Sequence, residues 1–188
     1  LGSIGRAVPE TDLVIRDEEG CEVPTGEVGE LCARGPQVMQ GYWRRPTATA
    51  AAMTPDDFFR TGDMARCDAD QRYYIVDRQK DMILVSGFNV YPNEVEAVVA
   101  EVAGVAECAC VGASDPSSGE AVVLYVVRRD ETLDEAQVRA HCRRHLAGYK
   151  IPRHILFIPE MPKTSVGKIL RRELRDLFAG TPRGETTT

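Results

Sequence analysis

Over the first third of the chain, apolar residues come in short alternating runs broken by Gly and Pro. Residues 11–33 divide into "DLVIRD", "EEGCEVPTGEVG" and "ELCARG", which predict short strands joined by turns, as in β-hairpins. "GPQVMQGYWRRP" reads as a loop carrying an aromatic pair, and "TATAAAMTPDD" as one short helix. "FFRTGDMARCDADQRYYIVDRQKD" reads as a strand, a tight turn, a hairpin at "DADQ" and a second strand. To about residue 77 the chain is β in character.

After Lys80 the spacing changes. "MILVSGFNV" is predicted as a strand interrupted at Gly87. "YPNEVEAVVAEVAG" predicts a helix, with Pro at its start, acids in its first turn and Gly104 at its end. Val95, Val98, Val99 and Val102 fall on one face of it. "VAECACVG" and "AVVLYVVRR" predict strands. The run 121–127 in the second reads as a buried strand and is far too short to span a bilayer. "TLDEAQVRAHCRRHLAG" predicts a second helix, with Thr132 and Glu135 as a capping box and Gly148 as its stop. "HILFIP" predicts a further strand. "GKILRRELRDLF" predicts a third helix, with Leu170, Leu174, Leu177 and Phe178 on one face. The composition of 179–188 predicts a disordered tail. The expected fold class is α+β in two units: a β-rich piece, then an α+β domain of about a hundred residues, with no internal repeat.

Composition narrows this little. Of 188 residues, 43% are hydrophobic and 28% charged, which is ordinary for a globular domain. A net charge of −6 argues against general nucleic-acid or anionic-membrane binding, without excluding a local basic patch. The N-terminus "LGSIGR" has no Met and no signal-peptide pattern, so the chain reads as a piece of something longer. The six cysteines (Cys21, Cys32, Cys67, Cys108, Cys110 and Cys142) include no C-x-x-C and no His at ligand spacing to a Cys pair, so neither a disulfide framework nor a zinc site is expected. Small buried thiols in a reducing cytoplasm are the simpler account.

One stretch, "PKTSVGKIL" at 162–170, looks like half of a phosphate-binding loop. A P-loop needs a first glycine five residues before its Gly-Lys and a hydroxyl after the lysine. Here those positions hold Pro162 and Ile169, so the P-loop reading fails on chemistry. What survives is a lysine, Lys168, on a turn that enters a basic helix.

Five stretches then stand in order: "GEVGELCARGPQVMQGYW", "RTGDMA", "VDRQKDMILVSGFNVYPNEVE", "GYKIPR" and "PKTSVGKILRREL". Together they resemble the C-terminal part of the adenylate-forming (AMP-binding) acyl-CoA synthetases, closest to the bacterial long-chain fatty-acid–CoA ligases. The resemblance covers nearly the whole chain. It implies that residues 1–77 are the β-rich end of a large AMP-binding domain, 78–81 a hinge, 82–178 a small mobile C-terminal domain and 179–188 a tail.

The resemblance also implies chemistry: ATP, fatty acid and coenzyme A give acyl-CoA, AMP and pyrophosphate through an acyl-adenylate, with a domain rotation between the two half-reactions. The ATP/AMP site and its Mg2+ would lie mostly upstream. So would the phosphate loop and the acyl pocket, and the chain is not expected to activate an acid alone. Asp63 matches the aspartate that binds the ribose hydroxyls, which a tight Thr-Gly turn would aim outward; an ordinary β-turn aspartate is the plainer alternative. Arg78 matches an arginine beside the nucleotide, its alternative being a salt bridge to Asp77 or Asp81. Lys80 falls at the hinge, and Gly87 in a loop facing the pantetheine tunnel, where close backbone approach or a β-bulge would each explain a glycine. Lys168 matches the lysine that bridges the substrate carboxylate and the α-phosphate, projected by a small flexible "TSVG".

Leu84 stands where several relatives carry a second lysine, so no role is carried there. His141, His145 and His154 match no catalytic role, and a lone His pair at i, i+4 is more often surface than metal. Arg171, Arg172 and Arg175 could meet the 3′-phosphate of coenzyme A or form a solvated face supporting pairs with Glu173. Two other functions stay open: a ligase for aryl, medium-chain or amino acids, and a non-catalytic module binding coenzyme A or an acyl carrier. A cytoplasmic setting is implied, with peripheral contact at the inner membrane left open. Without its partner sheets, the β-rich piece is expected to self-associate as a homodimer; a monodisperse monomer in light scattering would count against that.

Overall fold

The computed structural model describes residues 2–180, and the chain divides into two compact units, Leu1–Lys80 and Asp81–Thr188. In the first unit, β1 (Asp12–Arg16), β2 (Gly29–Arg34), β3 (Phe59–Cys67) and β4 (Tyr73–Arg78) form one antiparallel sheet in chain order. The short helix α1 (Pro46–Ala52) begins on a proline, whose missing N–H costs nothing in a first turn. Asp68 closes the β3–β4 hairpin by accepting the N–H groups of Asp70 and Arg72 at 3.0 and 2.9 Å. Ile15, Leu31, Ala65 and Tyr73 make the core, where the Tyr73 hydroxyl donates to the Leu13 carbonyl at 2.9 Å. Tyr42 and Trp43, the aromatic pair of the loop, are both exposed.

The second unit is built around β8 (Gly119–Arg128). It pairs antiparallel with β7 (Val105–Asp115) along its length on one edge. On the other edge it meets β5 (Ile83–Val85) at Gly119 and, in parallel, β9 (His154–Phe157) over Val123–Val126. β6 (Phe88–Val90) completes the sheet beyond β5. The apolar run of β8 is buried on both faces. Val122, Leu124 and Val126 pack with Val95 and Val99 of α2 (Pro92–Ala100) and Val138 and Cys142 of α3 (Glu135–His145). Val123 and Tyr125 pack on the other face with Met161 and with Leu174 of α4 (Arg171–Gly180). The predicted valine face of α2 is therefore the one that meets the core.

Four local expectations change. "MILVSGFNV" is a hairpin and not one broken strand: Val85 faces Phe88 and Ile83 faces Val90 across a two-residue turn. Ser86 and Gly87 both have positive φ, 51° and 85°, the backbone a type I′ turn requires. The capping box of α3 is Asp134 with Gln137, and Thr132 instead bonds Asp130 at 2.8 Å. The cause is Leu133, which is buried in the same core as Val138 as a hydrophobic staple and so sets the helix start two residues later. α3 ends at Leu146, while Gly148 opens a separate 3-10 turn. α4 begins only at Arg171, and of its predicted apolar face Leu174 is fully buried while Leu177 is 54% exposed.

All six cysteines are free. Cys32, Cys110 and Cys142 are buried, but Cys21 is exposed, against the expectation of buried thiols throughout. Burial, with Glu96 close by, pushes the Cys108 thiol up to about 12, so it stays protonated and inert. Of the tail, Ala179 and Gly180 complete α4, and 181–188 lie outside the described residues.

The burial contrast within α4 gives a direct check. Leu174→Ala should lose about 2–5 kcal/mol in urea unfolding followed by circular dichroism, and Leu177→Ala less than about 1 kcal/mol. Equal losses would contradict this packing.

Candidate functional site

Strand β3 does not run straight past β2. Glu30 faces Met64 and Cys32 faces Arg60, so two steps along β2 answer four along β3. Thr61, Gly62 and Asp63 therefore share only Leu31 as a partner and form a bulge. This replaces the expected Thr-Gly turn: the pair lies inside the strand, with Gly62 at φ 70°. The bulge's polar groups are satisfied locally. The Thr61 hydroxyl donates to the Leu31 carbonyl at 2.7 Å and accepts the Asp63 N–H at 3.1 Å. On its other edge β3 meets a second irregularity, in β4 between the partners of Met64 and Ala65.

Asp63 and Arg78 face each other between these irregularities. The Arg78 Nε donates to Asp63 Oδ1 at 2.7 Å, and the side chains are 59% and 24% exposed. The structure thus pairs the guanidinium with Asp63, and not with Asp77 or Asp81 as the alternatives had it. Buried Asp77 instead accepts the Arg78 backbone N–H at 2.7 Å. A half-buried carboxylate and an exposed fork of N–H donors side by side can take a polyhydroxylated or oxygen-rich ligand.

Sequence reasoning missed Glu30 at this place. It is 5% exposed in β2, accepts the Gly62 N–H at 3.2 Å and pairs with Arg60 Nη2 at 2.6 Å. The available signal was a carboxylate followed by "LCA" in an otherwise apolar strand, since a buried acid needs a partner.

The unit boundary falls after exposed Lys80, inside the 3-10 turn Gln79–Asp81. The next residue is fastened: Asp81 accepts from Arg175 of α4 at 2.7 Å. Gly87 is exposed at the tip of the β5–β6 hairpin, and a Cβ there would meet nothing within 4 Å. Its glycine answers the positive φ of a two-residue hairpin turn, in place of the β-bulge that the sequence allowed. Leu84 is exposed on β5.

Lys168 is exposed on a turn closed by the Lys163–Ile169 bridge. The Lys168 carbonyl accepts the Thr164 N–H at 2.8 Å, and its own N–H donates to the Thr164 hydroxyl at 3.1 Å. Gly167, at φ 80°, donates to the Thr164 carbonyl at 2.9 Å. "TSVG" is therefore a bonded turn and not a slack linker. It presents a mobile four-carbon side chain from a fixed backbone.

The basic face of α4 is also more tightly held than a solvated face. Arg171 pairs with Glu96 at 2.7 Å, and Glu96 in turn accepts the Cys110 N–H on the outer edge of β7 at 2.8 Å. Arg172 lies 3.9 Å from Asp176 in the open. His141 and His145 stack at 4.5 Å, with His141 Nε2 3.9 Å from Glu101. His154 lies against Phe178 at 5.1 Å. Among the described residues no group of three or more His, Cys, Asp or Glu is placed to hold a metal ion, and no helix is long and apolar enough to cross a membrane.

Residues 94–168 match the family model for the AMP-binding enzyme C-terminal domain, and residues 1–43 that for the AMP-binding enzyme. A long-chain-fatty-acid–CoA ligase of Salmonella typhimurium (strain LT2) is 56% identical over 95% of this chain. The chain spans 32% of that relative. A feruloyl-CoA synthase of Amycolatopsis is 42% identical over 95% of the chain and 36% of its own length. Among solved structures, ATP-bound MatB from Rhodopseudomonas palustris aligns at a TM-score of 0.90 and 36% identity, over 95% of this chain and 36% of that one.

An ion pair whose guanidinium is exposed to water adds little to stability. Asp63→Asn should therefore lower unfolding stability by less than about 1 kcal/mol in chemical denaturation. A loss of several kcal/mol would make the Asp63–Arg78 pair a fold support and not a binding surface.

Proposed function

We propose, on the premise that the chain belongs to the AMP-binding enzymes, that it is the C-terminal part of a long-chain fatty-acid–CoA ligase. The observation that carries this reading is the presentation of Asp63 beside Arg78 on a bulged strand, at positions matching the family's nucleotide residues. In this reading residues 1–77 end the large AMP-binding domain, 78–81 are the hinge and 82–178 the mobile domain.

In the first half-reaction a carboxylate oxygen of the fatty acid attacks the α-phosphorus of ATP, the bond to the bridging oxygen breaks, and pyrophosphate leaves. Asp63 accepts hydrogen bonds from the ribose hydroxyls, using lone pairs beyond the one Arg78 occupies. Arg78 donates to the ribose or phosphate side of the nucleotide. The Lys168 ammonium approaches the carboxylate and the α-phosphate, where negative charge builds up. Rotation about Lys80 then withdraws Lys168 and brings the Gly87 turn to the pantetheine path. The coenzyme A sulfur, its proton lost, attacks the acyl carbon, and AMP leaves with the bonding electron pair.

Mg2+ would neutralise charge on the ATP phosphates. As the resemblance implies, we assign its site mostly to the upstream region, with the phosphate loop and acyl pocket. The chain alone is then inactive, in a cytoplasmic enzyme. The feruloyl-CoA synthase relative, matched over the same 95% of the chain, favours a second reading with an aryl acid as substrate.

The test uses a protein joining this chain to the upstream region its relatives carry, and follows palmitate-dependent exchange of pyrophosphate into ATP. Lys168→Ala should cut exchange roughly 10²–10³-fold while preserving the transfer of preformed palmitoyl-AMP to coenzyme A. Exchange with ferulate but not palmitate would replace the fatty acid by the aryl acid. Equal exchange by wild type and Lys168→Ala would remove the lysine's role.

A further inference from the structure

Glu30 has no part in the reading above, yet its surroundings are built around one carboxylate. At 5% exposure it is one of the few buried acids among the described residues, and burying a charge is costly unless it is paired and hydrogen-bonded. Its two oxygens divide the bulge between them. Oε1 accepts the Gly62 N–H at 3.2 Å. Oε2 takes Arg60 through Nε at 2.8 Å and Nη2 at 2.6 Å. Residues 60 and 62 flank Thr61, so a single side chain on β2 fastens the bulge on both sides.

Stability alone is a weak account of this arrangement. A buried ion pair is often matched or bettered by apolar residues of similar volume, and the neighbouring residues of β2, Leu31 and Cys32, are apolar and buried. What an apolar residue cannot do is hold the Gly62 N–H, which the bulge has taken out of the ladder with β2. Gly62 stands at φ 70° and precedes Asp63 directly, so its peptide plane sets the direction from which the Asp63 side chain leaves the strand. The Thr61 hydroxyl fixes the Asp63 N–H from the other side at 3.1 Å.

We propose that Glu30 is a positioning residue for Asp63: its carboxylate locks the Arg60–Gly62 backbone so that Asp63 points at the ribose hydroxyls. The proposal rests on the reading of Asp63 as the ribose-binding residue.

The experiment uses the same joined protein and measures kcat/KM in pyrophosphate exchange for ATP and for 2′-deoxy-ATP. Four variants are compared: Asp63→Ala, Glu30→Ala, Glu30→Gln and the double variant Glu30→Ala/Asp63→Ala. Asp63→Ala should lower the preference for ATP at least tenfold. Glu30→Ala should lower it severalfold, mainly through KM for ATP, and should also raise the KM for preformed palmitoyl-AMP in its transfer to coenzyme A, because that intermediate carries the same ribose. Glu30→Gln, which keeps an acceptor for the Gly62 N–H but weakens the Arg60 pairing, should fall between. The double variant should be no less selective than Asp63→Ala, because both act on one contact.

If Glu30→Ala melts at a lower temperature but keeps the wild-type preference for ATP, Glu30 is structural only and the proposal is overturned. If Glu30→Ala does not fold, Glu30→Gln decides, and an unchanged preference there overturns it equally. If Asp63→Ala itself leaves the preference unchanged, the ribose reading fails first and the proposal falls with it.

Discussion

Burial of β8 on both faces is the constraint on which the second unit depends. A strand reading Ala-Val-Val-Leu-Tyr-Val-Val offers water no polar face, so each side must be covered. α2 and α3 cover one side and α4 with Met161 the other. That requirement fixes where α4 must lie, and α4 is the element that follows the turn carrying Lys168. The Tyr125 hydroxyl, buried inside this packing, donates to the Leu174 carbonyl at 2.8 Å and ties the strand to the helix. Ion pairs then secure the first half of α4: Arg171 to Glu96 beside β7, and Arg175 to Asp81 beside the unit boundary.

The first unit solves a different problem. A flat antiparallel meander would hide alternate side chains and give no reason for two charged groups to stand together. Irregularities on both sides of β3 break that regularity and set Asp63 across from Arg78. At the bulge facing β2, the Thr61 hydroxyl and the Glu30 carboxylate take up backbone groups that the ladder leaves. The pair, open to water on its Arg78 side, is expected to contribute little to folding. The buried polar groups behind it are what hold the shape.

Taken together, the two units offer complementary chemistry. One presents a rigid carboxylate and guanidinium, the other a single ammonium on a fixed turn. The turn at Ser86–Gly87 belongs to the second unit, as does Lys168.

The sequence by itself determined most elements. Periodicity located α2, the β7–β8 pair and β9, because apolar spacing is dictated by which face meets the core. The ordered motifs pointed to Asp63, Arg78 and Lys168, because a chemical role demands a residue type at a spacing. Tertiary structure decided what depends on partners distant in sequence. Leu133 had to reach the core, which moved the cap of α3 from Thr132 to Asp134. The Thr61–Gly62 segment became a bulge because β2 and β3 match at Met64 and Arg60 but differ in length between. Glu30 gained its partners only when its strand was laid beside β3, and Leu177 lost its expected burial because one face of α4 can meet β8 only over a narrow stripe. Local patterns record which side of a segment is apolar, but the register between strands and the depth of a helix face are set by what packs against them.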